Sequence, residues 1–267
     1  MKAHQLSLLT AVLASALSAS ASANVISLSN ITAEWYDGNP VANVSYLNNP
    51  SAVTASARWG VGAAQSGYDF TIAAQPINFT VPPSPSPAQQ IGEFTHLNFP
   101  IASGTSITDI KLRLSADIAV DGNPVGSRMF DYGFDHWETG NADSPCADGG
   151  TVGVGVDVNG CADRVIAHWL STSDDFTVGT DIYTVNVTGF SLDPSGSDPF
   201  TSFWTAENEH NHAYLLANVA LRREVEPIPE PGTLGLLGLG LLNLGLGCLC
   251  GLVSALDGRH HLRQLVA

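Results

Sequence analysis

Residues 110–120 read IKLRLSADIAV, and their alternation decides the fold class. Ile110, Leu112, Leu114, Ala116, Ile118 and Val120 fall on one parity, while Lys111, Arg113, Ser115 and Asp117 fall on the other. Successive side chains of an extended chain point to opposite faces, so this spacing predicts a strand with one buried and one wet face. A sheet wetted on one side belongs to antiparallel architecture, because parallel sheets are covered on both faces.

Working outward, further short strands are predicted at ITAEWY (31–36), YDFTIA (68–73), INFTV (77–81), DIYTVNVTGF (181–190) and AYLLANVALR (213–222), separated by Gly, Pro, Asn and Asp clusters. The stretch VPPSPSP (81–87) lacks regular ladder donors and reads as a loop or edge crossing. In TVGVGVDVNGC (151–161), Val152, Val154, Val156 and Val158 alternate with Gly153, Gly155 and Asp157. Asn159-Gly160 is a favoured two-residue hairpin turn, so a hairpin is expected here, with CADRVIAHWL (161–170) as the returning strand. No long helical stripe interrupts the pattern. The expected fold is all-β, an antiparallel β-sandwich of jelly-roll-like type.

The two ends read differently. Met1 and Lys2, the apolar run Leu6–Leu17 and the small residues Ala21-Ser22-Ala23 predict a signal peptide over 1–23, with the mature chain starting at Asn24. Residues 233–256 carry no formal charge. A helix of that length would span about 36 Å, enough for a bilayer core of roughly 30 Å. Arg259 and Arg263 follow it and favour a cytoplasmic C-terminus. The expected organisation is therefore a leader (1–23), an extracytoplasmic β-domain (24–226) and a C-terminal segment (227–267).

Between Asn24 and Glu230 there are 7 Lys/Arg against 24 Asp/Glu, a balance that excludes nucleic acid and anionic lipid as partners of this region. Of the 4 cysteines, Cys248 and Cys250 sit in the apolar tail as small hydrophobes. Cys146 and Cys161 lie in the exported part, where an oxidising compartment favours a bridge between them. Closing that loop would stabilise the fold by roughly 3 kcal/mol. Two thiols with no second pair nearby do not make a tetrahedral zinc set.

Just before the apolar tail stands Pro229-Glu230-Pro231, followed by Gly232-Thr233, a Leu/Gly-rich span (233–256) and a weakly basic end (257–267). This arrangement resembles the PEP-CTERM sorting signal of Gram-negative bacteria. The resemblance implies export through signal peptidase and transient anchoring in the inner membrane through the C-terminal helix. It also implies recognition by an exosortase, a membrane-embedded cysteine transpeptidase-like enzyme, and release to the envelope, outer surface or extracellular polysaccharide matrix. The chain departs from the pattern at its end: LDGRHHLRQLVA carries Asp257 and only two arginines where the family has a tight Arg cluster. Within the β-region, Thr95-His96-Leu97-Asn98 resembles the signature of the THxN family of PEP-CTERM proteins. Supporting matches are ARWG (57–60), QSGYDF (65–70), the loop from Pro145 to Val165 and FWTAENEHNHAYLLANV (203–219). That family's molecular function is not established, so the resemblance implies an address rather than an activity.

Candidate chemistry is sparse. Thr95 and His96 are adjacent on a strand and point apart, which argues against a nucleophile–base pair. His96 and Asn98 share a face and are expected to hydrogen-bond a neighbouring loop. His136 and Glu138, together with Glu207, Glu209, His210 and His212, could meet as an N/O metal site; solvated polar loops are the alternative. Calcium is the cofactor that Asp121, Asp143, Asp148, Asp157 and Asp163 could bind from their Gly/Asn-rich turns, against plain turn chemistry. Trp35, Tyr36, Trp59, Tyr68, Trp137, Trp169 and Trp204 could stack on sugars if exposed together, against core packing. No hydrolase, phosphate-cradling or dinucleotide motif is present. The expectation is a non-enzymatic exported surface or extracellular-matrix protein, structural or adhesive beside exopolysaccharide. The alternative is an envelope carbohydrate-binding protein or hydrolase, metal-dependent or not.

Overall fold

The computed structural model describes residues 23–171, 173–195 and 200–223. The chain divides into two units, Met1–Arg223 and Glu224–Ala267. The leader up to residue 22 and the whole second unit lie outside the described residues, and with them Pro229-Glu230-Pro231 and the span expected at 233–256. Among the described residues no helix is long and apolar enough to cross a membrane.

The strands are β1 (Asn24–Asn39), β2 (Ser45–Leu47), β3 (Thr54–Trp59), β4 (Ser66–Ile72), β5 (Ile77–Val81), β6 (Gln89–Asn98) and β7 (Asp109–Val120). They continue with β8 (Asn123–Trp137), β9 (Asp163–Ser171), β10 (Ser173–Val178), β11 (Asp181–Ser191), β12 (Ser202–Thr205) and β13 (Glu209–Arg223). One sheet has the order β12-β9-β8-β7-β1-β5 and the other β10-β11-β13-β6-β4-β3-β2. Neighbours within each are antiparallel, which is the sandwich that the alternation predicts. A jelly roll carries successive strands back and forth between its sheets, whereas here β2-β3-β4 and β7-β8-β9 are meanders within one sheet.

The founding pattern holds residue by residue. Along β7, Ile110, Leu112, Leu114, Ala116, Ile118 and Val120 are buried and every intervening residue is partly exposed. β7 turns directly into β8 through Asp121 and Gly122, both at positive φ (49° and 79°), the conformation a two-residue hairpin needs. In β1 the buried parity changes between Leu28 and Ile31, because a bulge at Asn30 (φ 49°) inserts one residue against β7. Between the sheets lies an aromatic centre. Phe94 of β6 stacks on Phe134 of β8 with centroids 5.4 Å apart, flanked by Trp35, Tyr68 and Phe190. Each such side chain, fully buried, stabilises the fold by about 1.5–3 kcal/mol or more.

The hairpin expected at 151–161 is not formed. Residues 155–157 make a single 3-10 turn, with Gly153 at φ 93° and Gly155 at φ 62°, values incompatible with a strand. Val154 is 67% exposed, while Asp157 is buried and accepts the Ala162 N–H at 2.8 Å. The alternation was a coincidence of Val and Gly in a loop that is closed by the Cys146–Cys161 disulfide. The strand expected at 161–170 begins at Asp163 and pairs with β8 and β12.

Candidate functional site

The inward faces of two strands change character at one end of the sandwich. Along β6 the buried parity runs Phe94, His96, Asn98, and along β8 it runs Phe130, Tyr132, Phe134, His136. The period-2 frame that buries the phenyl rings therefore also buries two imidazoles and an amide. His96 and His136 face each other from opposite sheets with ring centroids 5.2 Å apart, enclosed by Trp59 and Tyr68. Asp163 at the start of β9, Thr205 at the end of β12 and Glu207 in the following turn complete the cluster, and all three are fully buried.

Local sequence explains the placement of Glu207. Asn211 clasps the turn, its Oδ1 accepting the Ala206 N–H at 2.8 Å and its Nδ2 donating to the Ala206 carbonyl at 3.0 Å. Asn208 takes a positive φ of 57°, and Asn159 donates to the Glu207 carbonyl at 3.1 Å. Gly160, at φ 137°, lies so close that a Cβ there would sit 3.3 Å from Glu207 Cγ. The turn and the disulfide-closed loop thus hold the carboxylate inward together.

The hydrogen bonds fix one tautomer. Thr205 Oγ1 donates to the Asp163 carbonyl at 3.0 Å, so its single proton is committed. His96 Nδ1, 2.9 Å from the same oxygen, must then be the donor, which leaves His96 Nε2 with a bare lone pair. Asn98 Nδ2 donates to the Thr205 carbonyl at 3.0 Å. His136 Nδ1 lies 2.9 Å from Tyr68 Oη, and its Nε2 lies 3.4 Å from Glu138 Oε2. Asp163 Oδ1 accepts the Thr139 N–H at 2.7 Å.

Several atoms are left over. His96 Nε2, Asp163 Oδ2, Asn98 Oδ1 and Asn141 Oδ1 are buried without a hydrogen-bond partner among the described residues, and the Asn98 and Asn141 amides and the Asn208 N–H lie against the Glu207 carboxyl. Burial, then the neighbouring Glu138 charge, push the Asp163 carboxyl up to about 8. The same causes in the same order push Glu207 up to about 7. Burial and the facing His136 hold His96 well below the usual imidazole range, so it is neutral. Burial and three nearby carboxylates keep Tyr68 a phenol. Donor atoms of His96, His136 and Asp163 lie within 4.8 Å of one another, as do those of Glu138, Asp163 and Glu207. Cys146, Asp157 and Cys161 also cluster, but both sulfurs are taken by the disulfide.

The structure distributes the sequence-derived candidates unevenly. Of the six residues considered for an N/O site, His136, Glu138 and Glu207 meet, whereas Glu209, His210 and His212 are exposed on β13. His212 pairs with Glu93 at 2.6 Å and lies 3.1 Å from Thr95 Oγ1, on the outer face opposite His96. The residues missing from that set, His96 and Asp163, had been singled out separately, and no spacing rule links positions so far apart in sequence. Among the aspartates considered for calcium, Asp121, Asp148 and Asp157 each accept a backbone N–H in a turn. Asp143 lines a cleft of about 620 Å³ together with Glu138, Asn141 and Ser106, beside the buried cluster. Trp35, Trp59 and Tyr68 are core residues, and Tyr36 lies under the Arg113 guanidinium at 4.8 Å. Trp137, 51% exposed, and the half-buried Trp204 lie on the outer face with ring centroids 6.0 Å apart. Arg164, which pairs with both across β8, β9 and β12, lies 5.6 Å from the Trp204 ring.

No protein-family model matches the chain, and no curated protein matches it.

Proposed function

We propose that this chain is a non-enzymatic surface or extracellular-matrix protein, exported through its leader and sorted by an exosortase at Pro229-Glu230-Pro231, whose β-sandwich contacts exopolysaccharide. The outer-face row Trp137–Arg164–Trp204 carries the binding part of this reading. Two indoles from the strands on either side of β9, with the Arg164 guanidinium beside the Trp204 ring, offer flat apolar surface for sugar rings and donors for their hydroxyls. The oxidised Cys146–Cys161 pair and the acidic surface fit a life outside the cytoplasm. Burial argues against catalysis by the polar cluster, since His96, Asp163 and Glu207 are 0% exposed and no substrate can touch them without opening the sandwich.

The alternative, an envelope hydrolase, has one specific observation in its favour: Glu138 and Asp143 line a common cleft. A pair of carboxylates flanking a bound sugar is the minimum that glycoside hydrolysis requires. The two readings separate in one experiment. The purified chain is incubated with immobilised exopolysaccharide, with and without calcium, as wild type, Trp137→Ala/Trp204→Ala and Glu138→Gln/Asp143→Asn. Binding lost in the tryptophan variant, with the polysaccharide intact throughout, supports adhesion. Shortened polysaccharide that depends on Glu138 and Asp143 would establish the hydrolase instead.

A further inference from the structure

We infer that His96, His136, Asp163, Glu138 and Glu207 form a largely buried structural site for one divalent transition-metal ion of the zinc type. The inference goes beyond the proposed function and does not depend on where the chain is delivered. Two buried ligand atoms without partners among the described residues converge there, the lone-pair donors His96 Nε2 and Asp163 Oδ2, beside the Glu207 carboxyl, which the amides of Asn98 and Asn141 and the Asn208 N–H face. Leaving such groups unpaired in a dry interior is among the costliest arrangements a fold can hold, and a cation satisfies all of them at once.

The geometry suits an ion. Two triads share Asp163, and within each the donor atoms lie within 4.8 Å of one another. Ligands about 2.0–2.2 Å from a metal stand at most about 4.4 Å apart, so within each triad the side chains need to close by only a few tenths of an ångström, and His136 Nε2, 3.4 Å from Glu138 Oε2, joins the two. His96 already carries the tautomer a ligand needs, fixed by the relay from Nδ1–H to Thr205 Oγ1 and on to the Asp163 carbonyl. Tyr68 can fix His136 likewise, accepting from Nδ1–H at 2.9 Å and leaving Nε2, the nitrogen that faces Glu138, free to ligate. Thr139 holds the other oxygen of Asp163. A hydrogen-bonded outer shell of this kind is what orients metal ligands.

The donor set also selects the ion. Two imidazole nitrogens disfavour calcium and magnesium, which take oxygen ligands, and suit zinc and its first-row neighbours. Three carboxylates more than balance a double positive charge. His96, Asp163 and Glu207 are fully buried and Glu138 alone of the ligands reaches the solvent cleft, while the site ties β6 of one sheet to β8 and β9 of the other.

The full chain, isolated without a histidine tag, is assayed for bound metals by elemental mass spectrometry. It is then stripped with a chelator and titrated separately with Zn2+, Mn2+ and Ca2+ while its melting temperature is followed. The expected results are about one transition-metal ion per chain and a rise in melting temperature with Zn2+ that Ca2+ does not reproduce. His96→Gln and Asp163→Asn lose the ion, whereas His212→Ala, which removes an exposed imidazole, keeps it. Should the ligand variants fail to fold, Thr205→Val decides: it leaves all five ligands in place but removes the acceptor for His96 Nδ1–H, and should weaken Zn2+ binding by about 10–100-fold. A chain without bound metal and with no response to Zn2+, a response to Ca2+ alone, or Zn2+ affinity unchanged in Thr205→Val would each overturn the inference and leave a proton-linked polar cluster in its place.

Discussion

At the scale of single residues, His96 shows how position outranks residue type. It sits one parity step from Thr95 and two from Phe94, so the strand frame places it inside, where it is neutral, with Nδ1 bonded to Thr205 Oγ1 and Nε2 unpaired among the described residues. His96→Ala should destabilise the domain by about 1–3 kcal/mol, since Thr205 Oγ1 would lose its buried donor. Chemical denaturation of the purified chain measures this, and an unchanged midpoint would contradict it. Glu207 presents the opposite case, a buried carboxyl for which burial and the Glu138 charge outweigh the hydrogen bonds from Asn98, Asn141 and Asn208. In the presence of a chelator and above about pH 7, where the wild-type carboxyl is charged, Glu207→Gln should therefore be at least as stable as wild type, because a neutral amide of the same shape is cheaper to bury than a charge. A large loss of stability in chelator would show that the carboxylate is satisfied in a way the contacts do not reveal. The sequence brought His136, Glu138 and Glu207 into one candidate set but left His96 and Asp163 outside it, because their meeting depends on which strand ends lie opposite each other across the sandwich.

At the scale of elements, legibility followed from how many residues shared one period. β7 could be read from its alternation, and INFTV coincides with β5. β8 passed unnoticed although Phe130, Tyr132, Phe134 and His136 alternate, since its first half carries Gly126 and Arg128 and is exposed. The false hairpin at 151–161 has the reverse cause: valines alternate there with glycines, whose positive φ values permit a coil that no strand residue would accept. The two-residue turn expected at Asn159-Gly160 is found instead at Asp121-Gly122, where two long strands need joining. The loop is held by covalent chemistry in place of a ladder, so replacing both Cys146 and Cys161 with Ser should cost roughly 3 kcal/mol. A urea midpoint lowered in proportion is the expected readout. A midpoint that does not move would mean that the turn contacts of Asp157 and Thr139 hold the loop without the bridge.

At the scale of the whole molecule, an acidic sandwich with a buried polar end is bracketed by two segments that read as addresses. The leader and the tail are readings from composition and order alone, and both lie outside the described residues. The activity of the domain has no such local signature, because a surface such as Trp137–Arg164–Trp204 arises only when β8, β9 and β12 lie side by side. If residues 229–263 are a sorting signal, their specificity lies in Pro229-Glu230-Pro231, because any apolar helix of sufficient length would satisfy the membrane. Flanking prolines remove backbone donors and favour an extended chain, which would present the one carboxylate of Glu230 to a processing enzyme. A plain anchor would tolerate replacement of that carboxylate. The decisive measurement is the mass and cellular fraction of wild type and Glu230→Ala in a bacterium that has an exosortase. Wild type should lose its C-terminal segment and leave the inner membrane, while Glu230→Ala stays there uncleaved; both proteins remaining in the inner membrane at the full mass from Asn24 to Ala267 would contradict the reading of the tail as an address.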